Sequence, residues 1–564
     1  MVSADGRFTV VFNGEIYNFR QLAAELEHLG HSFRTRSDTE VLLAGAAAWG
    51  VRGLVERIDG MAAFALWDAR TRKMHLVRDR YGVKPLYIWR SDRHFAFASE
   101  IKAFMAHERF AVHVNRDALR EYFTFQNLFR SHTLFEGVSQ LPPATILTID
   151  ADGGEERQTY WRYDFSKVDD ISREDAVDQL TDLMGAAVER QLVSDVPVGA
   201  YLSGGMDSGS IVAFASRTID RMQTFTAGFD MSRVSGMEIN FDERRAAELM
   251  ACEFGTEHYE QVINAGDIRW SLPHVIWHLE DLRLGMSYPN FYIARLASKF
   301  VKVCLSGAGG DELFGGYPWR YYRAFRALDR DDYIESYYGF WQRLTSADQR
   351  ARLFGTKGND REQMRAVFRS VYDDAPDLDF DSPEDQISAS LYFEGRTFLT
   401  GLLTVGDRLS MAHGLEERFP FLDNALVDFA MKLPTRYKLS DLDQMLSIDE
   451  DAVQKKLMAD ASHAGGKSCL RDAMARVLPK QIIERPKQGF SSPEASWYRG
   501  ENADYLDQML LKSDLACADY LSPDVIRETV EEHMSGAKNN RLLIWSYLSF
   551  EQWCRTFING ERPS

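Results

Sequence analysis

Cysteine is scarce in this chain, and where it occurs it is poorly placed for chemistry. The 564 residues contain five (Cys252, Cys304, Cys469, Cys517, Cys554), none in a C-x-x-C pair and none before position 252. That excludes a disulfide framework and argues against a zinc site. Long apolar runs are also missing: nothing approaches the roughly 18 residues of a membrane span. The opening Met-Val-Ser-Ala-Asp-Gly-Arg lacks the basic-then-apolar pattern of a secretory signal. Positive charge is in deficit, with 66 Lys and Arg against 84 Asp and Glu, a net −18. A surface this acidic suits neither nucleic acid nor an anionic membrane, although a local basic pocket for a small phosphate ligand stays open. No internal repeat or low-complexity segment occurs. Core-forming residues are plentiful: 45% are hydrophobic and 12% aromatic, enough to fill several domains of about 150 residues. The expectation is a soluble, reduced, cytoplasmic globular protein.

Residues 1–150 alternate short β-branched or aromatic runs with turns. Phe8-Thr9-Val10-Val11-Phe12 leads into Asn13-Gly14, and strands are expected near 64–67, 74–77, 95–98 and 145–150. One helix is predicted over 19–29 from the spacing of Leu22, Ala23, Leu26 and Leu29. This pattern reads as an antiparallel α+β layered domain. Residues 151–172 are polar and glycine-bearing and read as a linker. From 173 onward the pattern changes to alternating helices (176–192, and one opening near Ser208) and short buried strands (196–202, 224–229, 301–305). It becomes predominantly helical after about Tyr317. Strand–helix alternation of this kind predicts a doubly wound parallel sheet with a large helical C-terminal part, α/β overall.

The sharpest motif is Leu202-Ser203-Gly204-Gly205-Met206-Asp207-Ser208, after an apolar strand and opening a helix. Small residues let backbone approach an anion, and the free N–H groups of a helix start point at it. No G-K-[ST] follows, so this is not a Walker A loop. Gly465-Gly466-Lys467-Ser468 lacks that motif's first glycine and follows no strand, and it is set aside. A second small-residue loop, Ser306-Gly307-Ala308-Gly309-Gly310-Asp311-Glu312, closes the apolar run Val301–Leu305. Two such loops at strand ends, each carrying an aspartate, could hold a nucleotide and a hard cation between Asp207 and Asp311. Either loop alone would equally suit an ordinary strand-to-helix turn. Cys304 reads as a core thiol.

Ser203-Gly-Gly-Met-Asp-Ser208 resembles the S-G-G-x-D-S loop of the N-type ATP pyrophosphatases. With the stretch from Ser306 to Tyr317, and Glu417-Arg-Phe-Pro-Phe-Leu-Asp423, it resembles glutamine-dependent asparagine synthetases. Phe12-Asn-Gly-Glu-Ile-Tyr-Asn18, Ser37-Asp-Thr-Glu40 and Arg78-Asp-Arg-Tyr-Gly-Val-Lys-Pro-Leu86 are similar to that family's class II glutaminase domain. The resemblance implies three stretches. The first, 1–150, is an Ntn-hydrolase-like glutaminase sandwich that is incomplete at its start; 151–172 is a linker, and 173–564 is a synthetase domain. It also implies a carbon–nitrogen ligase that adenylates a carboxylate, aspartate above all, and transfers ammonia to give the amide, AMP and pyrophosphate. By the same resemblance, Leu202, Ser203, Gly204, Gly205, Asp207, Ser208, Ala227, Ser306 and Gly307 bind ATP. Asp207 and Asp311 bind Mg²⁺, Lys487 with Asp311 and Glu312 serves catalysis, and Asn13, Gly14, Glu15 and Asp38 hold glutamine. Asp407, Glu416 and Arg418 suit either the site or structural ion pairs. The partners implied are small molecules, with no nucleic acid and no membrane, and homodimer formation is left open.

Two positions depart from the family pattern. Its glutaminase uses an N-terminal cysteine, whereas residue 2 here is Val. The glutamine-gripping arginine segment before N-G-E is also absent. The expectation is a chain that opens inside the domain, with an ammonia-only enzyme as the alternative. Ala308 stands where the family carries Glu, so either Glu312 or a water takes that role or the acid is not aspartate. Two other readings remain: an adenylating ligase for another acid or an amide-forming cyclase, and a non-catalytic nucleotide-binding regulator.

Overall fold

The computed structural model describes residues 1–91, 94–234, 238, 241–283, 285, 287–321, 327–356, 360–375, 378–440, 465–485 and 491–563. Contacts divide the chain into two units. One is formed by 1–111, 131–163 and 422–424, the other by 112–130, 164–421 and 425–564.

The first unit is built on β1 (Phe8–Ile16), α1 (Phe19–His28), α2 (Asp38–Val55), β2 (Gly60–Asp68), β3 (Lys73–Arg78), β4 (Tyr87–Ser91), β5 (His94–Ala98), β6 (Val138–Gln140), β7 (Thr145–Ile149) and β8 (Glu155–Thr159). An antiparallel sheet in the order β1-β2-β3-β7-β8 is joined by a smaller one, β5-β4-β6. Strand alternation separates two cores. Phe64 and Leu66 of β2 pack with Leu22, Leu26, Val41 and Leu42 of the helices. Ala63 and Ala65, facing the other way, pack with Leu86, Ile88 and Leu141. The result is a helix–sheet–sheet layering: the antiparallel α+β unit that the strand pattern predicted, with a second sheet added.

Three details differ from expectation. β1 does not turn at Asn13-Gly14 but runs straight through to Ile16. Gly14 adopts φ 152°, and a Cβ there would lie 2.0 Å from the Met61 carbonyl on the neighbouring strand. The glycine therefore serves close strand packing rather than a turn. α2 is apolar on all sides and shows no helical period to read. β8, in the stretch read as linker, is a polar edge strand that pairs with β7 and needs no buried face. The motif at Arg78–Leu86 is a scaffold. Buried Asp79 accepts the backbone N–H groups of Ala62, Tyr81, Val83 and Lys84 at 3.0–3.2 Å. Arg78 donates to the carbonyls of Gly82, Lys84 and Leu141 at 2.6–2.8 Å.

The second unit contains α3 (Arg116–Phe125), α4 (Arg173–Gln191), β9 (Val198–Tyr201), α5 (Met206–Ala215), β10 (Gln223–Phe229), α6 (Arg244–Phe254), β11 (Glu257–Ile263), α7 (Asp267–Leu279), α8 (Tyr288–Ala297), β12 (Val303–Leu305) and β13 (Glu416–Arg418), followed and interleaved by further helices. All its strands pair in parallel, in the order β11-β10-β9-β12-β13. α4, α5 and α6 pack in one group, and α7, α8 and helix Phe398–Met411 in another. Two such groups are what a sheet covered on both faces requires. β12 is wholly buried, and β10 nearly so. The chain lays strands outward from β9 to β11, then returns to place β12 on β9's other side. This reversal opens a crevice between the carboxyl ends of β9 and β12.

Candidate active site

Both glycine loops leave the sheet at that crevice. Val198–Tyr201 forms a strand because its apolar residues are buried between two neighbours, and the chain breaks at Ser203-Gly204-Gly205 before α5 begins. Gly205 is the N-cap of α5, in extended conformation. Two serines brace the turn. The Ser208 hydroxyl accepts the Ser203 N–H at 3.0 Å and lies 3.0 Å from the Ser203 hydroxyl, which accepts the Gly205 N–H at 3.3 Å. The N–H groups of the first turn of α5 have no partner within the helix and face outward, as an anion cradle requires. The second loop comes within van der Waals reach of the first. A Cβ on Gly310 would stand 3.0 Å from the Asp207 carboxylate, so any other residue there would push that carboxylate aside.

The loops form one end of a cavity of about 700 Å³, within the ~300–1,000 Å³ range of small-molecule sites. All nine residues expected at ATP line it, as do Ala308 and Asp311. Among the described residues, six basic side chains line it against four acidic ones, a balance opposite in sign to the chain's net −18. Glu312 does not line the cavity. It is buried and accepts a hydrogen bond from the Tyr317 hydroxyl at 2.8 Å, while Tyr317 itself does line it. Burial, with the adjacent charge of Asp311, pushes the Glu312 carboxyl up to about 7. Arg418 and Glu416 form an ion pair at 2.7 Å, and Arg418 also holds the carbonyls of Gln191 and Val193. Lys487 lies outside the described residues.

The set-aside segment at Gly465–Ser468 supplies what the sequence reading missed. Lys467 is buried, and its Nζ lies 2.5 Å from both Asp207 Oδ2 and Asp311 Oδ1. Its own N–H donates to the Phe314 carbonyl at 3.1 Å. Arg485 donates to the Gly204 carbonyl at 3.0 Å. No local pattern could announce Lys467, because 260 residues separate it from Asp207. A lysine following two glycines was the only hint.

In the first unit, Asn13, Gly14 and Glu15 sit together on the last part of β1. The Asp38 carboxylate, at the start of α2, accepts the Ile16 N–H at 3.2 Å. Asn13 donates to the Ser99 hydroxyl at 3.2 Å. The four residues expected to handle glutamine are thus gathered at one strand end.

The family models settle the ancestry of this arrangement. Residues 179–555 match the asparagine synthase family and residues 1–161 the glutamine amidotransferase domain. The chain belongs to the asparagine synthase family. It is 29% identical to asparagine synthetase [glutamine-hydrolyzing] 1 of Bacillus subtilis (strain 168), over 97% of this chain and 85% of that protein. It is 31% identical to asparagine synthetase [glutamine-hydrolyzing] 3 of the same organism, over 94% and 83%. It is 30% identical to a putative asparagine synthetase [glutamine-hydrolyzing] of Mycobacterium tuberculosis (strain ATCC 25618 / H37Rv), over 98% and 85%. These asparagine synthase relatives are carbon–nitrogen ligases by name. Among the described residues, no helix is long and apolar enough to cross a membrane.

Proposed function

We propose that this chain is an ATP-dependent amide ligase that converts aspartate to asparagine with release of AMP and pyrophosphate. The observation that carries this reading is the meeting of the two glycine loops at the strand-order reversal, with every residue assigned to ATP on one cavity. A carboxylate is a poor acyl donor because oxide is a bad leaving group. Attack of its oxygen on the α-phosphorus of ATP makes an acyl-adenylate, and pyrophosphate departs into the Ser203–Ser208 cradle. Ammonia then attacks the acyl carbon and AMP leaves. The residues act mainly by positioning and by stabilising charge. Backbone N–H groups at the start of α5, together with Lys467 and Arg485, face the departing phosphates. Lys487 is assigned to the same end by resemblance.

Mg²⁺ fits this site. Asp207 Oδ1 is buried without a hydrogen-bond partner among the described residues, and Asp311 stands across Lys467 from it. Two carboxylates with phosphate oxygens make a donor set suited to this hard cation, which would neutralise phosphate charge when bound. Asn13, Gly14, Glu15 and Asp38 are the residues that would orient glutamine as the ammonia source. Residues 1 to 251 hold no cysteine to attack it, so ammonia is the nitrogen donor, drawn from glutamine wherever the full protein carries the family's N-terminal cysteine. Five free cysteines fit a cytoplasmic setting.

The test is pyrophosphate release from Mg-ATP with aspartate and ammonia, then with glutamine, alongside an Asp207→Ala control. Amide formed with ammonia, with glutamine inert, supports the reading. Release with another acid, or internal amide formation, would replace the substrate. No release across a panel of acids would leave the nucleotide-binding regulator.

A further inference from the structure

The cavity extends past the loops to a wall of rings and cations contributed by the helical part of the second unit. Arg343, just after helix Arg330–Trp341, lines this wall with Tyr317, Trp341 and Phe398. Two other guanidinium groups stand close to it, and each is provided for. Arg320 pairs with Glu394 at 3.2 Å and lies over the rings of Tyr317 and Phe398, 3.7 and 4.1 Å from their centres. Arg541 donates to the Ser491 hydroxyl and the Ser492 carbonyl and lies 3.5 Å from Glu494. Arg343 is half-buried, yet its guanidinium makes no hydrogen bond or ion pair with any described residue.

A cation held among cations, in a cavity, is costly unless an anion completes the set. Burial, with the like charges of Arg320 and Arg541, pushes the Arg343 guanidinium down to about 10, which still leaves it charged at neutral pH. The phosphate end does not need it, because Lys467, Arg485 and the start of α5 already serve the loops. The charges bearing on Arg343 are those of Arg320, Arg541 and Tyr317, whereas Asp207 acts on Arg471 beside the loops. The missing anion therefore belongs to the other substrate.

We propose that Arg343 is a specificity residue that pairs with the second, non-reacting carboxylate of a dicarboxylic acid, while the carboxylate to be amidated faces the loops. This deepens the ligase reading and rests on it. For aspartate amidated at its side chain, the group read by Arg343 is the α-carboxylate. Guanidinium and carboxylate match as a planar, two-pronged pair, and the ring wall shields that pair from water.

ATP–pyrophosphate exchange should be measured for the wild type, Arg343→Met and Arg343→Lys. The acids compared are aspartate and 3-aminopropanoate, which lacks the second carboxylate. Thermal shift with aspartate alone is recorded for all three proteins. The expected result is a KM for aspartate raised roughly 10–100-fold in Arg343→Met, an unchanged KM for ATP, and lost preference over 3-aminopropanoate. Arg343→Lys should fall between. An aspartate KM within two-fold of wild type, or an ATP KM that rises in parallel, would overturn the proposal. Exchange absent with every acid would defeat the ligase reading, and the thermal shift then decides the subsite by itself. A shift lost in Arg343→Met upholds it, and a shift equal in both or absent from wild type overturns it.

Discussion

Replacing Lys467 with Met tests the central electrostatic arrangement. The substitution keeps most of the length of the side chain and removes the cation that, among the described residues, touches both loop aspartates. Side-chain exposure is 6% for Lys467, 15% for Asp207 and 13% for Asp311, so water screens the trio poorly. Breaking a buried ion pair by removing one partner costs about 3–5 kcal/mol, most of it from the charge left behind. Here the two carboxylates keep some contact with solvent, which lowers the expected loss to about 2–4 kcal/mol. For a unit of this size that is a fall in Tm of roughly 2–5 °C. The variant should also respond more strongly to Mg²⁺, because the freed carboxylates can take a divalent cation in place of the ammonium group. The assay is differential scanning fluorimetry of both proteins with and without millimolar Mg²⁺, followed by ATP–pyrophosphate exchange. Exchange should fall at least ~100-fold, as when a charge-stabilising donor is removed from a departing anion. A variant that melts like wild type in both conditions and retains exchange would refute the reasoning.

Glu312→Gln should change the pH dependence of stability. With its carboxyl raised to about 7 from an ordinary 4.5, the folded state binds more protons than the unfolded chain between those values. Glu312 therefore makes stability fall as pH rises through that window, by a few kcal/mol in all, and the fall levels off above about pH 7. The glutamine variant should lack this slope in denaturant titrations from pH 4.5 to 8, and an unchanged slope would contradict the buried-carboxyl account. Gly14→Ala puts a methyl group 2.0 Å from the Met61 carbonyl at φ 152°, which should cost roughly 2–5 kcal/mol. Hydrogen exchange of β1 and β2 should then quicken, and unaltered protection would count against the strand pairing. Gly204→Ala directs its methyl group at the Arg485 guanidinium, 2.1 Å away, and at the Ala246 Cβ, 2.4 Å away. The guanidinium can swing aside but a Cβ fixed on α6 cannot, so the loop must shift: a KM for ATP raised about ten-fold together with a lowered Tm is expected, and a variant unchanged in both would count against the close approach.

Some of this molecule was written locally and some was not. The strands β9, β10 and β12 were readable because a strand buried on both faces must be apolar throughout, and the loops after them because small residues beside an aspartate are conspicuous. β11 (Glu257–Ile263) and β13 (Glu416–Arg418) were not readable. They lie at the sheet's edges, where one pairing partner suffices and polar side chains are tolerated. β8 escaped for the same reason, and α2 because a helix that is apolar all round carries no period.

The sequence by itself determined the change from antiparallel to parallel strand pattern, the family, and the residues of the two glycine loops, since each depends on neighbours a few positions apart. Only the tertiary structure decided that Lys467 stands between Asp207 and Asp311, that Glu312 turns away to Tyr317, and that Arg343 meets no anion among the described residues. The first joins side chains 260 positions apart, and the others depend on how loops and helices pack around residues, even where the partner is only five positions away. No local spacing encodes such meetings; the packing of the sheet and its helices does.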